Sequence, residues 1–423
     1  MELVIEGKVL LASGLSECCI GIEGGKIKSI AKTLGRSDKR LDHSGLIIMP
    51  AGIDLHVHFR DPGMTRKEDF GTGSAAAACG GVSYILEMPN TKPPTRTLSD
   101  LKEKIALASN KSYVDFGIAA LLDGGTDVSK LAELASAFKI YLGETTGGLG
   151  ISATILKTVL SKASDCGAPV FVHAEHIGAL PDTVEKDLDD HDSKRSEESE
   201  LDAAELVAAS KHGSQKIHLL HATQAGVLSL ARKSNMTAEV TPHHLLLDTN
   251  SRLGPLGKIN PPLRNKSTRM RLWEAFTSGQ ADTIGSDHSP HTESEKGQDF
   301  NSAPSGMPGV ETLLPLMLQK VAERKLAIEV LSKCCSSRPA EIIGLNKGKI
   351  QVGMDADLIV VDIRKSSKIS ADRLHYKCGW TPYEGMDAVF PVSTIIRGEE
   401  VARDGELSGE RVGKFATPGR GSS

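Results

Sequence analysis

Asp54-Leu-His-Val-His-Phe-Arg-Asp-Pro-Gly63 follows an apolar run at 46–49 and the turn-like Pro50-Ala-Gly52. Read as the end of a strand, it puts His56 and His58 two residues apart, and side chains at i and i+2 share a face. Two imidazoles on one face of a strand end are half of a metal site, although a surface or capping pair would look the same. Arg60 lies two residues further on, can share that face, and adds a rigid cationic fork. What the pair does depends on what the rest of the chain brings beside it.

Outward from this stretch the chain alternates. Strand-like runs fall at 47–59, 82–88, 114–121, 138–142, 170–173, 216–221, 237–241 and 282–286. Helix-like stretches at 72–79, 98–109, 152–166, 198–211, 223–233 and 268–277 separate most of them. Alternating β and α predicts a parallel sheet, and eight units predict an α/β fold with a closed, TIM-like (β/α)8 barrel. An open doubly wound sheet is the alternative, but no GxGxxG turn follows the first run to favour it. Both ends of the chain read instead as short strands and turns, at 3–5, 8–10, 19–23 and 26–30, then 349–351, 357–362, 392–397 and 400–404. Neither end can bury a core alone. The expectation is a small β-sandwich domain built from residues 1–48 and 347–423, flanking a catalytic barrel of residues 49–346.

Composition narrows the function. The net charge is −4 and the pI about 6.4, so no basic surface invites nucleic acid or an anionic membrane. The seven cysteines form no CxxC pair and no disulfide framework, which fits a reduced, cytoplasmic protein. The first residues alternate and carry acid, unlike a signal peptide. No apolar run approaches the ~18 residues of a membrane helix.

Barrel active sites lie at the C-terminal ends of the strands, and chemically able residues fall there. Strand one ends in His56, His58 and Arg60, strand two in Glu87-Met-Pro-Asn90, strand five in His173-Ala-Glu175, strand six in His221 and strand eight in Asp287-His-Ser-Pro-His291. Strand four carries Lys139 amid apolar residues. A strand lysine is commonly an edge or snorkelling residue. A desolvated one loses its charge and becomes a nucleophile that can add CO2, giving a carbamate able to bridge two metals. His173 alone could be a satisfied core histidine. His218, three residues from His221, is expected on the opposite face in a structural role. His243 and His244 are read as structural, and His191, in the charged stretch 182–200, as solvated. Together His56, His58, His173, His221, Asp287 and a modified Lys139 supply nitrogen and oxygen ligands without thiolate, which suits two Zn2+, with other divalent metals open. Such a pair would bind a bridging hydroxide, and Asp287 could take its proton.

With these motifs in hand, and with Phe138-Lys-Ile-Tyr-Leu-Gly-Glu-Thr, Thr241-Pro-His-His-Leu, Asn260-Pro-Pro-Leu-Arg and Gly285-Ser-Asp-His-Ser-Pro-His beside them, the chain resembles the dihydroorotases of the amidohydrolase superfamily over nearly its full length. The resemblance implies that His56 and His58 hold one metal and His173 and His221 the other, that carboxylated Lys139 bridges them, and that Asp287 completes the first site as general acid/base. It further implies that Arg60, Asn90, Asn260 and His291 bind substrate and that Ser305 and Gly306 close over its ring. Some family members carry aspartate at the bridging position; Lys139 stands in the context of the lysine type. Glu144-Thr-Thr-Gly-Gly148 resembles a mobile loop that covers substrate. The implied reaction is reversible hydrolysis of L-dihydroorotate to N-carbamoyl-L-aspartate in pyrimidine biosynthesis, with a homodimer or an association with aspartate transcarbamoylase as the partners to look for. The competing functions are allantoinase or hydantoinase, which attack other cyclic ureides with the same cage, and an inactive scaffold, which would be expected to lack ligands.

Overall fold

The computed structural model describes residues 1–143, 148–176, 178 and 180–416. The glycine-rich segment expected to cover substrate therefore lies, apart from Gly148, outside the described residues. The chain opens with four strands, β1 (Leu3–Leu11), β2 (Gly14–Glu23), β3 (Lys26–Ala31) and β4 (Lys39–Pro50). Eight barrel strands follow: β5 (Gly52–Val57), β6 (Val82–Glu87), β7 (Asp115–Leu121), β8 (Ala137–Leu142), β9 (Val170–Ala174), β10 (Ile217–Leu219), β11 (Thr237–Val240) and β12 (Thr283–Ile284). The C-terminal part adds β13 (Leu358–Val361), the small pair β14 (Ser367–Lys368) and β15 (Asp387–Ala388), then β16 (Ser393–Ile396), β17 (Glu399–Arg403) and β18 (Glu406–Leu407).

Strands β5 to β12 lie side by side in sequence order and pair in parallel. The barrel is drawn together where the Val57–His288 bridge and the His58 N–H to His288 carbonyl bond at 2.8 Å join its first and last strands. All eight expected runs are strands. The first of them divides, however. Residues 47–50 belong to β4, which pairs with β1 and β13, and only Gly52–Val57 enters the barrel. The break comes at Ala51, where the chain passes from one sheet to the other.

Inside the barrel, Ile53, Leu55, Tyr84, Leu86, Ala119, Ala137 and Phe171 form an apolar layer. Ala340, Ile342 and Ile343, from the helix Arg338–Ile343, pack into the same cluster. This filled layer places the polar strand ends at the opposite mouth. The outer faces of the strands, such as Phe138, Ile140 and Leu142 of β8, pack on the helices.

The terminal sheet is one continuous eight-stranded sheet in the order β18-β17-β16-β13-β4-β1-β2-β3. It curls on itself: Ile20, Ile22 and Ile27 near one end share an apolar cluster with Leu358, Val360 and Ile395 near the other. The expected sandwich is thus made from a single sheet. Runs 3–5 and 8–10 are one strand, and 349–351 is not a strand. Among the described residues no helix is long and apolar enough to cross a membrane.

Candidate functional site

A β-bulge aims the first histidines. Asp54 pairs with Ile85 and Val57 with Glu87, so three steps on β5 oppose two on β6. The bulge resets the alternation. Ile53 and Leu55 face the apolar layer, and beyond the shift Val57 joins the outer core while His56 and His58 face inward. On β8 and β9 plain alternation does the same for Lys139 and His173. His221 is placed differently. It lies beyond the end of β10 with φ +40°, a left-handed backbone that turns its ring inward although His218 also faces the interior. The expectation that the two point to opposite faces is therefore corrected. His218 is a satisfied structural residue, bonded to Thr237 Oγ1 at 2.8 Å and Thr283 Oγ1 at 3.2 Å. Arg60 at φ +61° and Asp287 at φ +43° share the left-handed geometry. Each such non-glycine residue costs ~1–2 kcal/mol, a strain concentrated where strand ends must present side chains to the mouth.

His56 Nε2, His58 Nε2 and Asp287 Oδ1 form a triangle with sides of 3.3, 3.4 and 3.2 Å. Ligands of one tetrahedral cation, each ~2.0–2.1 Å from it, would stand ~3.3 Å apart. The other ring nitrogens are tied back. His56 Nδ1 meets Glu239 Oε1 at 2.8 Å, and His58 Nδ1 meets Asn90 Oδ1 at 2.6 Å. Such outer contacts fix the tautomer and turn the Nε2 lone pairs inward. A second pair repeats the pattern. His173 Nδ1 faces His221 Nε2 at 2.8 Å, while Glu175 holds His173 Nε2 at 3.0 Å and is itself held by Arg195 at 2.7 Å. Burial drives His56, His58 and His221 well below the usual imidazole range, and lowers His173 as well. The four rings are neutral near pH 7 and free to ligate.

Lys139 stands with these groups. Its Nζ is fully buried, has no hydrogen-bond partner among the described residues, and lies 4.8 Å from the Tyr141 ring centre. Burial lowers its pKa to about 7, against the pull of Asp287 and Glu239. The ammonium form is thus disfavoured by roughly 5 kcal/mol relative to water. An orphaned, half-neutral amine beside four neutral imidazoles fits the expected carbamate bridge and makes no sense as a snorkelling residue.

The remaining predicted residues fall around this cage. Arg60, Asn90, Asn260, Ser305 and Gly306 line the same cavity as the four histidines, Lys139 and Asp287, joined by Tyr141 and Ser289. Arg60 is anchored by bonds from Nη2 to Ser289 Oγ at 2.6 Å and from Nε to the Pro290 carbonyl at 3.3 Å. Gly306 has φ +138°, and a Cβ there would sit 2.4 Å from the Ser289 carbonyl oxygen, so only glycine lets the two segments meet. His291 does not line the cavity; it sits behind Arg60, with Nε2 3.4 Å from Nη2 and 3.1 Å from the Ser305 carbonyl. A larger cavity of about 700 Å3 lies elsewhere and shares no lining residue with the cage.

Two residues read otherwise in the sequence matter here. His191 is buried, not solvated: Glu185 takes Nδ1 at 2.8 Å, and Nε2 meets the Ile259 carbonyl at 2.7 Å and Asn260 Oδ1 at 3.1 Å. It thereby holds Asn260. Glu239 is not among the residues the sequence motifs mark, yet its Oε1 takes both His56 Nδ1 and the His221 backbone N–H. The signal was available, since an acid inside the run Ala238-Glu239-Val240 is as unusual as Lys139 in its strand. Gly285 makes room for it, because a Cβ there would lie 2.3 Å from Glu239 Oε2. His244 is structural, bonded to Thr241 Oγ1 and the Pro261 carbonyl, and His243 is buried away from the cavity.

The barrel's mouth gathers imidazoles, a carboxylate and a lysine of lowered pKa, and residues 47–401 match the Amidohydrolase family, to which this chain belongs. Its curated relatives include dihydroorotases. It is 40% identical to a dihydroorotase of Methanosarcina mazei, over 98% of this chain and 95% of that protein. It is 38% identical to a dihydroorotase of Thermoplasma volcanium, over 95% of this chain and 94% of that one. In structure it is similar to an L-hydantoinase (dihydropyrimidinase) from Arthrobacter aurescens, with a TM-score of 0.92 and 28% identity over 98% of this chain and 99% of the other.

Proposed function

We propose that the chain catalyses the reversible hydrolysis of L-dihydroorotate to N-carbamoyl-L-aspartate, the ring-opening step of pyrimidine biosynthesis, with two divalent cations, Zn2+ in the first instance. The names of its curated relatives support the reaction. The ligand triangle and the orphaned Lys139 support the metals: His56, His58 and Asp287 would hold one, His173 and His221 the other, and carboxylated Lys139 both. When bound, such cations polarise a carbonyl and lower the pKa of water. The protein's own share is to orient and to move protons. Asp287 sits within 3.4 Å of both His56 and His58, where it can accept a proton from the attacking water and return it to the departing ring nitrogen.

Arg60 carries the choice of substrate. Its guanidinium is fixed at the mouth by two acceptors and binds a carboxylate through paired hydrogen bonds. Dihydroorotate has that carboxylate; hydantoin and allantoin do not, so the hydantoinase-like architecture carries over as fold rather than substrate. The test is turnover of all three ureides by zinc-loaded protein, followed by loss of the dihydroorotate chromophore and by product analysis. Dihydroorotate should lead by at least ~100-fold in kcat/KM; comparable turnover of hydantoin would overturn the assignment. Arg60→Lys keeps the charge and loses the fork. Its KM should rise at least ~10-fold with metal content unchanged, and an unaltered KM would remove Arg60 from substrate binding.

Lys67 reaches the same subsite from behind. Its Nζ lies 3.0 Å from His291 Nδ1, and an ammonium can only donate. His291 is therefore the tautomer with its proton on Nε2, donating to the Ser305 carbonyl and keeping Ser305-Gly306 in place beside Arg60. Lys67→Met should raise KM several-fold, with kcat within about twofold, since one hydrogen bond to a positioning residue is worth ~1 kcal/mol. A fall in kcat at constant KM would contradict this.

A further inference from the structure

A second set of donors meets outside the barrel mouth. Cys79 is the last residue of α1 (Phe70–Cys79) and is buried. Its Sγ lies 3.7 Å from His375 Nε2. Glu311 Oε1 holds His375 Nδ1 at 2.8 Å, and Glu311 Oε2 accepts the backbone N–H of His375 at 2.7 Å. One ligand atom from each of the three lies within 4.8 Å of the others. Gly80 permits the convergence, because a Cβ there would lie 2.5 Å from the Glu311 carbonyl oxygen. Glu311 and His375 also line the cavity of about 700 Å3, as do Asp404 and Glu406.

We infer that Cys79 and His375 form a binding site for a soft divalent cation such as Zn2+, separate from the barrel mouth, with Glu311 orienting His375 and the adjoining cavity supplying the remaining ligands. Three observations support it. Thiolate and imidazole ligands of one tetrahedral zinc, at ~2.3 and ~2.0 Å, stand ~3.6 Å apart, close to the spacing already present. A ligating histidine normally gives its other nitrogen to a carboxylate, and Glu311 fills that role with both oxygens engaged on His375. The neighbouring cavity is roomy and carries hard oxygen donors, so an incomplete protein ligand set can be completed by Glu406 or water. On binding, the cation replaces the hydrogen shared between Sγ and Nε2. The thiol proton, and the Nε2 proton where the ring carries one, leave to solvent. The chemistry is soft, unlike the all-nitrogen-and-oxygen set at the mouth, and this difference makes it observable.

The test titrates Co2+ into full-length protein whose barrel site is already loaded with Zn2+. The expected result is one further equivalent bound and a near-ultraviolet thiolate-to-cobalt charge-transfer band. Cys79→Ser and, separately, His375→Asn should abolish both while dihydroorotate turnover stays within about twofold. Should the serine variant fold poorly, Cys79→Ala removes the thiol without adding a buried hydroxyl, and the titration of the native protein is decisive on its own. No charge-transfer band in the native protein, or a band and an extra equivalent that persist without Cys79, would overturn the inference. The outcome does not depend on which ureide the barrel opens, so failure here leaves the proposed function standing.

Discussion

Lys139→Ala is expected to yield a folded protein that has lost its metals and at least ~100-fold of its activity. The side chain is wholly buried in the barrel mouth, and its amine makes no hydrogen bond to the described residues. Nothing in the scaffold therefore depends on it as a donor. Removing it opens a small space but also removes a group whose charged form is disfavoured there, so the thermal transition should move little. What is lost is the carbamate, the ligand proposed to hold both cations. Short carboxylic acids that enter the space should restore part of the activity, since they offer the same two oxygens. Full metal content and activity in the alanine variant would sink the bridging role.

The same residue sets a pH dependence for assembly. CO2 adds only to the neutral amine. In the metal-free protein Lys139 titrates at about 7, so below that pH most of it is ammonium and unreactive. The four imidazoles are held below the usual histidine range by burial, so their protonation is displaced to lower pH. They add little to the profile. At a fixed concentration of dissolved CO2, reactivation of metal-free protein by CO2 and Zn2+ should thus be roughly tenfold faster at pH 8 than at pH 6, with the slope of one proton. A flat profile would mean that carboxylation of Lys139 is not part of assembly.

Much of this site can be read in the chain because its signals are local anomalies. A lysine inside Phe138–Leu142 and a histidine pair at the end of an apolar strand stand out against their neighbours, and strand counting brings them to one rim. What could not be read depends on backbone detail or on distant partners. The bulge between Asp54 and Val57 decides that His56 and His58, rather than Leu55 and Val57, face the cage, and no residue type announces it. His221 turns inward only because its φ is positive, which defeats a count of alternating faces. His191 sits in an acidic, lysine-rich stretch that looks solvated, yet its partners are contributed by Ile259 and Asn260, 68 and 69 residues away. The strand run 47–59 looks continuous because both halves are apolar; only the pairing of β4 with β13 shows that they serve different sheets. Asn90 lines the cavity as expected, and its Oδ1 also meets His58 Nδ1 at 2.6 Å, a contact between two strand ends that residue spacing does not reveal.

Asp287→Asn is expected to leave a folded, metal-binding protein whose kcat is at least ~1,000-fold lower. Asparagine is the informative replacement. It has the same shape, and it tolerates the left-handed backbone at φ +43° better than alanine, so the strand end should hold its course. Its amide oxygen can still occupy the corner of the triangle 3.2 Å from His58 and 3.4 Å from His56. It cannot accept a proton and release it. Any loss beyond a modest fall in metal affinity therefore reports proton transfer rather than architecture. The ratio of kcat to metal occupancy separates the two roles that one carboxylate is asked to play. If the variant kept its metals and turned over within tenfold of the native rate, the proton would have to travel by another group. Among the described residues, Tyr141 is the only other proton-bearing side chain lining the cavity besides the four histidines, Lys139, Asp287, Arg60, Asn90, Asn260 and the serines, and burial pushes its hydroxyl well above the usual phenol range. It therefore stays a protonated phenol and cannot take a proton from water, which supports the role proposed for Asp287.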